Sequence, residues 1–320
     1  MAGDMGLDQT TQEVMLTSSI STELQQLHSL RATLAMATQV VTSDLSLSLV
    51  APSEPKGFLA LPTEIRVAIL EHVFNEESKD TSFSYHEDTK GVLLRNDYSA
   101  ASKSVPLLAC RQVYHDGSIA ALQRTDFVVT NMFFNIPERL GVFQPKQLEA
   151  IRSIAFVADD RHFRKLSSWG TCPFGMPELR LDTLTIVLQR SSHWHYLFDY
   201  TPAIVKLLRQ LEGVKRLVFV KNDARVKGSF RTWCNRLVGL MLKIDHQERY
   251  MVDPPNPEKV WWTWNFDADA QRFSLEACSS KPMVFEETYM QQVLPLMHEL
   301  TTSIEAEEWN PDPRSRIMYY

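Results

Sequence analysis

Three groups of residues have the types and spacings that chemistry needs. His193 and His195 in "HWH" lie two apart. On a strand, positions i and i+2 point the same way, as two ligands of one zinc ion must. Cys172 and His162 are the nearest further donors, but no second clustered pair accompanies them and the spacing matches no zinc-finger pattern. These histidines read as loop or helix-start residues, and no metal is expected. Asp159 and Asp160 in "VADDRH" stand just past an apolar stretch, where open α/β enzymes place acid and base groups. No nucleophile motif or phosphate loop joins them: G-x-G-x-x-G, G-x-x-x-x-G-K-[ST] and G-x-S-x-G do not occur. They read as a polar strand-to-helix turn, with Asp223 in "VKND" at the corresponding place after a later strand. The chain is therefore expected to be non-enzymatic and to carry no cofactor. The third group is Trp261, Trp262 and Trp264. Alternation on a strand puts Trp262 and Trp264 on one face. Their structural reading is core or hairpin packing; their functional reading is an aromatic anchor for a protein partner.

Composition narrows the partners. With 320 residues and 44% hydrophobic content, the chain can bury one large core or two small ones. A net charge of -6 and a pI near 5.9 exclude coating nucleic acid or an anionic membrane by bulk charge. The most basic window, Lys215 to Arg231, reads as a solvated loop and helix start. Cys110, Cys172, Cys234 and Cys278 form no C-x-x-C pair and read as reduced thiols. The opening "MAGDMGLDQTTQEVM" has neither a basic n-region nor an apolar h-region. No apolar run approaches the ~18 residues of a membrane span. The expected location is cytoplasmic or nuclear, with no nucleic-acid or membrane partner.

The elements that must position these residues follow from periodicity. Residues 1–55 contain no Trp, Tyr or Phe and read as a largely disordered arm. Within it, Leu24, Leu27, Leu30 and Leu34 mark one candidate helix. "SEPKG", Ser53 to Gly57, is a hinge. In "FLALPTEIRVAILEHVF", Pro62 suits the first turn of a helix. Ile65, Ile69 and Val73 share one face of that helix, and Val67, Leu70 and Phe74 an adjacent one, with Arg66 and Glu71 outside these rows. "TSFSYHEDTKGVLLR" reads as a β-hairpin whose turn uses Gly91 at positive φ. "VPLLACRQVYHDGSIAALQ" reads as a second helix, and "TDFVV" as a strand.

A repeat then begins. "IRSIAFV", "LDTLTIV" and "VKRLVFV" start at residues 151, 181 and 214, each with an apolar residue at positions one, four and six. Intervals of 30 and 33 residues, with helical segments such as "FQPKQLEA" and "YTPAIVKLLRQLEG" between, predict helix-strand units sharing a right-handed parallel sheet. "SFRTWCNRLVGLMLKI" predicts another helix, "WWTWNFDADAQRFSLE" a hairpin, and Glu286 onward a closing helix containing Pro295.

Two stretches together resemble a known family. "FLALPTEIRVAILEHVF" resembles the first half of an F-box. "PLLACRQVYHDGSIAALQRTDFVV" resembles its second half as found in fungal F-box-like proteins, with Cys110, Arg111, Gln112, Val113 and Tyr114 matching that group's helix. The resemblance covers Phe58 to Val129. It implies a substrate receptor that docks on the Skp-family adaptor of a cullin ubiquitin ligase and holds a protein target with a downstream leucine-rich-type domain. Leu61, Pro62, Ile65, Ile69 and Leu70 would face the adaptor or support that face. The departure from the family pattern is residues 75–105, whose hairpin separates the two halves and is a rival occupant for the helix's outer arc. The expected fold is α/β, α+β at its ends: an F-box-like segment over 56–130, an LRR-like body over 131–308 and a tail over 309–320. The alternatives are a protein-interaction scaffold with no ligase partner and, third, an α/β hydrolase-type enzyme using Asp159 or Asp160.

Overall fold

The computed structural model describes residues 57–75, 81–87, 91–131, 133–191 and 194–312. The expected helix through Leu24 and Leu34, residues 313–320 of the expected tail and His193 lie outside the described residues. The chain divides into two compact units. Ser99–Thr125 joins the chain up to Glu77 in the first, and Ser78–Tyr98 joins the chain from Asp126 onward in the second.

In the first unit, helix α1 (Thr63–Asn75) starts where Pro62 sets the backbone, and the Pro62 carbonyl accepts from the N–H groups of Ile65 and Arg66. After a short α2 (Ala100–Ser104), the predicted second helix is divided. Val105–Leu108 forms a single 3-10 turn with Pro106 in its first positions, and α3 runs Arg111–Arg124. Cys110 between them is extended, with φ -166 and ψ 168, and stands at the N-cap of α3. α1 and α3 pack through Leu70, Phe74, Leu107, Val113, Ala120 and Ala121. Gly117 permits the close approach: a Cβ there would lie 2.9 Å from Leu70 Cδ1, 3.2 Å from Leu107 Cδ2 and 3.3 Å from Phe74 Cε2.

The second unit is mixed α/β. Its six-stranded sheet has the order β3-β4-β5-β6-β8-β7. The strands are β3 (Asp126–Val129), β4 (Ser153–Ala158), β5 (Leu181–Leu188), β6 (Val214–Val220), β7 (Val260–Asp267) and β8 (Arg272–Ser279). The first four are parallel neighbours in chain order, and the terminal hairpin β7–β8 adds antiparallel to β6. The predicted repeat is realised in the register. Ile154 pairs with Leu184 and Leu184 with Leu217; Phe156 pairs with Ile186 and Ile186 with Phe219. Equivalent repeat positions thus form rows across the sheet, because parallel strands in register place like residues side by side.

Helices α4 (Ile136–Leu140), α5 (Pro145–Ala150), α6 (Asp160–Leu166), α7 (Thr201–Leu208), α8 (Phe230–Tyr250) and α9 (Glu286–Trp309) surround these strands. The row of Ile154, Phe156, Leu184, Ile186, Leu217 and Phe219 shares one core with Phe163, Ile204, Leu208, Trp233 and Leu237. The opposite row is covered differently. β1 (Phe83–His86) and β2 (Gly91–Leu94) form the predicted hairpin, and its Phe83 and Leu94 pack with Val128, Val157 and Val187. The hairpin therefore belongs to the second unit rather than to the 56–130 segment expected from its sequence position. Gly91 is not the left-handed turn residue expected; it lies within β2, outside the residues at positive φ.

Candidate protein-docking face

α1 carries two apolar rows with opposite fates. Leu70 and Phe74 are buried, and Arg66, one turn earlier on the same row, is buried with them. Ile65, Ile69 and Val73 remain 49%, 39% and 43% exposed. Ile69 precedes Leu70 by one residue, a rotation of roughly 100° about the axis, which takes its row out of the helix-helix contact. Leu61 is half-buried and Pro62 exposed at the foot of this stripe. Val105 and Leu108 are exposed as well in the same unit.

An ion pair sets the rotation of α1. Arg66 Nε donates to Asp116 Oδ2 on α3 at 2.7 Å, and the Asp116 side chain is almost wholly covered. Arg66 also donates to the Leu61 carbonyl and to Thr63 Oγ1. Gln112 Nε2 donates to both Asp116 oxygens at 2.9 and 3.0 Å. Bonds from Gln112 and then Arg66 outweigh desolvation and lower the Asp116 carboxyl to about 2. Turning α1 to bury Ile65 and Ile69 would pull Arg66 away from this buried carboxylate. The sequence reading left Arg66 outside the apolar rows. Its i, i+4, i+8 relation to Leu70 and Phe74 was the available signal for a buried cation.

Of the residues expected to serve an adaptor face, Leu61, Pro62, Ile65 and Ile69 are brought together along α1. Leu70 is corrected to an internal role, since it packs on Gly117 and can only support that face. Trp262 is corrected outright. It is 1% exposed, and its Nε1 donates to the Leu208 carbonyl at 2.8 Å. Trp264 is half-buried against the same core. Strand alternation was right in direction, but α8 (Phe230–Tyr250) lies against β7, and Trp261, Trp262 and Trp264 all join the core. Trp261 on the other face is buried too, with Lys281 Nζ 3.8 Å above its ring.

The groups weighed for catalysis are occupied locally. Asp159 caps α6, accepting from the N–H groups of Arg161 and His162, and its Oδ2 pairs with Arg161 at 2.6 Å. The His162 ring lies 2.8 Å from Asp159 Oδ1. Burial opposes ionisation there, but the bonds from Arg161 and His162 hold the Asp159 carboxyl below its ordinary value. His195 is buried, and its Nε2–H donates to the Gln189 carbonyl at 2.8 Å. Among the described residues no cluster of three His, Cys, Asp or Glu has the geometry of a metal site. Cys110, Cys172, Cys234 and Cys278 are free thiols. In the basic window, Lys215 pairs with Asp182 and Arg216 with Glu276, and Arg231 lies over Phe266.

The most deeply buried charges escaped the sequence reading. Arg249 on α8 donates to Asp245 Oδ2 at 2.9 Å and to Glu258 Oε2 at 2.5 Å. Asp245 also accepts from Tyr289 and Arg209, and the Lys281 N–H donates to Glu258. Burial pushes the Glu258 carboxyl up, with nearby Asp245 adding to the effect. The cavity beside this network holds about 10 Å³, room for no more than one water. It is a clamp that ties the segments around Glu258 and Lys281 to α8, not a substrate site.

Compared with known proteins, the chain matches no family model, no curated protein and no solved structure. No helix among the described residues is long and apolar enough to cross a membrane.

Proposed function

We propose that the chain is an F-box-like, non-enzymatic substrate receptor that links a protein target to a Skp-cullin ubiquitin ligase through the outer face of α1. The observation that carries this reading is the division of α1: the Arg66–Leu70–Phe74 row is spent on α3, while Ile65, Ile69 and Val73 face solvent. Three aliphatic side chains repeated every turn on an exposed face match helix-mediated docking on a grooved partner. A standard interface buries roughly 1,600 Å², so one helix supplies only part of it. Leu61, Pro62, Val105 and Leu108 are among the further exposed or half-exposed apolar residues of this unit. The second unit would hold the target. Its helix-strand units, stacked in chain order with equivalent residues in rows, are the arrangement expected of an LRR-like body.

The test is co-purification of the full chain with Skp-type and cullin subunits. The wild type is expected to recover both, and Ile65→Asp with Ile69→Asp to lose both while melting normally. Equal recovery by the double variant would overturn the assignment of the face. Failure of the wild type to recover either subunit would leave the scaffold reading, with no ligase partner.

A further inference from the structure

A polar cleft of about 330 Å³ lies in the second unit where the β1–β2 hairpin meets the end of β5. Ser84 and His86 line it from β1, Arg95 and Asn96 from the segment after β2, and Arg190 from the segment after β5. One buried side chain assembles it. Asn222 follows β6 with φ 52 and is 4% exposed. Its Oδ1 accepts from the Leu94 N–H at 2.9 Å and its Nδ2 donates to the Leu188 carbonyl at 3.1 Å. The last residue of β2 is thereby tied to the last residue of β5. A left-handed backbone at a non-glycine residue is unfavourable and persists where its surroundings over-determine it, as these two bonds do. The tie brings Arg95, one residue past Leu94, into the same cleft as Arg190, two residues past Leu188. Arg190 Nη2 donates to the Leu94 carbonyl at 3.4 Å.

The charges do not cancel. The acidic lining residue, Asp97, is engaged by Arg95 through two bonds of 3.0 and 2.7 Å, which hold its carboxyl below the ordinary value. Arg190 is exposed and has no carboxylate partner among the described residues. Ser84 Oγ and His86 Nε2 lie 3.0 Å apart, adding a hydroxyl-imidazole pair to the wall. Arg95 is neutralised by Asp97, so the guanidinium of Arg190 is the charge in this cleft that an anion would complement.

We propose that this cleft binds a phosphate group, free or carried on a small molecule. Its tetrahedral oxygens accept from donors arriving from several directions, as Arg190, His86, Ser84 and Asn96 do. A planar carboxylate would meet fewer of them. The volume exceeds that of a phosphate ion, so a small carrier also fits. The cleft lies wholly within the second unit and stands independently of the role of α1.

The test is isothermal titration of the full chain, at fixed ionic strength, with O-phospho-L-serine, inorganic phosphate and L-serine. Saturable binding of a phosphate-bearing probe, with none by L-serine, is expected. Tighter binding of O-phospho-L-serine assigns the ligand to a carrier-borne phosphate, and equal binding to the free ion. Arg190→Gln should weaken binding about tenfold or more with an unchanged melting temperature. Arg216→Gln, which alters a surface pair elsewhere, should leave it within about twofold. No saturable binding of either phosphate probe, or an Arg190→Gln affinity within about twofold of wild type, would overturn the proposal.

Discussion

The two units solve the burial problem differently. The second sinks Phe156, Phe163, Phe219, Trp233, Trp262 and Phe273 into one core to less than 2% exposure and gives its buried Arg249 two carboxylates. Among its described residues, the first has one thin cluster around Leu70, Phe74 and Leu107, holds it in place with Arg66 and Asp116, and leaves Ile65, Ile69 and Val73 exposed. A larger core buries most large side chains, although Phe285 and Trp309 of the second unit stay exposed, whereas two packed helices have only one face each to give. The difference teaches where to look for an interaction surface of this kind: on α1, whose exposed Ile65, Ile69 and Val73 recur at helical spacing on one face. Large aromatics such as Trp262, which look like anchors in the sequence, belong to the unit with room to bury them.

The contrast can be broken most strongly in the sheet. Trp262→Ala removes a filled core volume and leaves the Leu208 carbonyl without its partner. It should cost about 3–5 kcal/mol in urea unfolding followed by tryptophan fluorescence. Gly117→Val tests the thinner unit. The added carbons meet Leu70, Leu107 and Phe74, and the change should cost about 1–3 kcal/mol, read as lost protection of α1 and α3 amides in hydrogen exchange.

Acid sharpens the comparison. The Asp116 carboxyl is lowered from 3.8 to about 2, so its contribution is complete above pH 3.8 and is lost as pH falls toward 2. Asp116→Asn should reduce the stability of the first unit at neutral pH and flatten its acid dependence over that window, as circular dichroism from pH 6 to 2 would show. The smallest effect is expected at the exposed stripe. Ile65→Asp or Ile69→Asp should change stability by less than ~0.5 kcal/mol in thermal melts, because neither side chain is buried. A loss comparable to that of Trp262→Ala would mean the stripe is core, and the contrast between the units would fail.

Much of the second unit was legible in advance. The apolar residues at positions one, four and six of each repeat predicted strands near 151, 181 and 214, and the register places Ile154, Leu184 and Leu217 in one row. Local periodicity suffices there, because each strand is buried by neighbours of the same pattern. The docking face was half legible. Both rows of α1 were visible, but which row is buried depends on Arg66 finding Asp116 fifty residues later. The hairpin was recognised as a hairpin and assigned to the wrong unit, since its partners Val128, Val157 and Val187 lie far along the chain. Cys110 and Gly91 show the same limit at single residues, where backbone conformation follows tertiary packing rather than residue type.

By itself, then, the sequence determined the strand repeat, the helix that follows Pro62 and the acidic balance that argues against bulk-charge binding to nucleic acid, all of which depend on composition and on neighbours within a few turns. The tertiary structure alone decided that Leu70 points in while Ile69 points out, that Trp262 is core, and that Asn222 draws Arg95 and Arg190 to one cleft. Each of those outcomes rests on a contact between residues distant in the chain, where burial and hydrogen-bond satisfaction override local pattern.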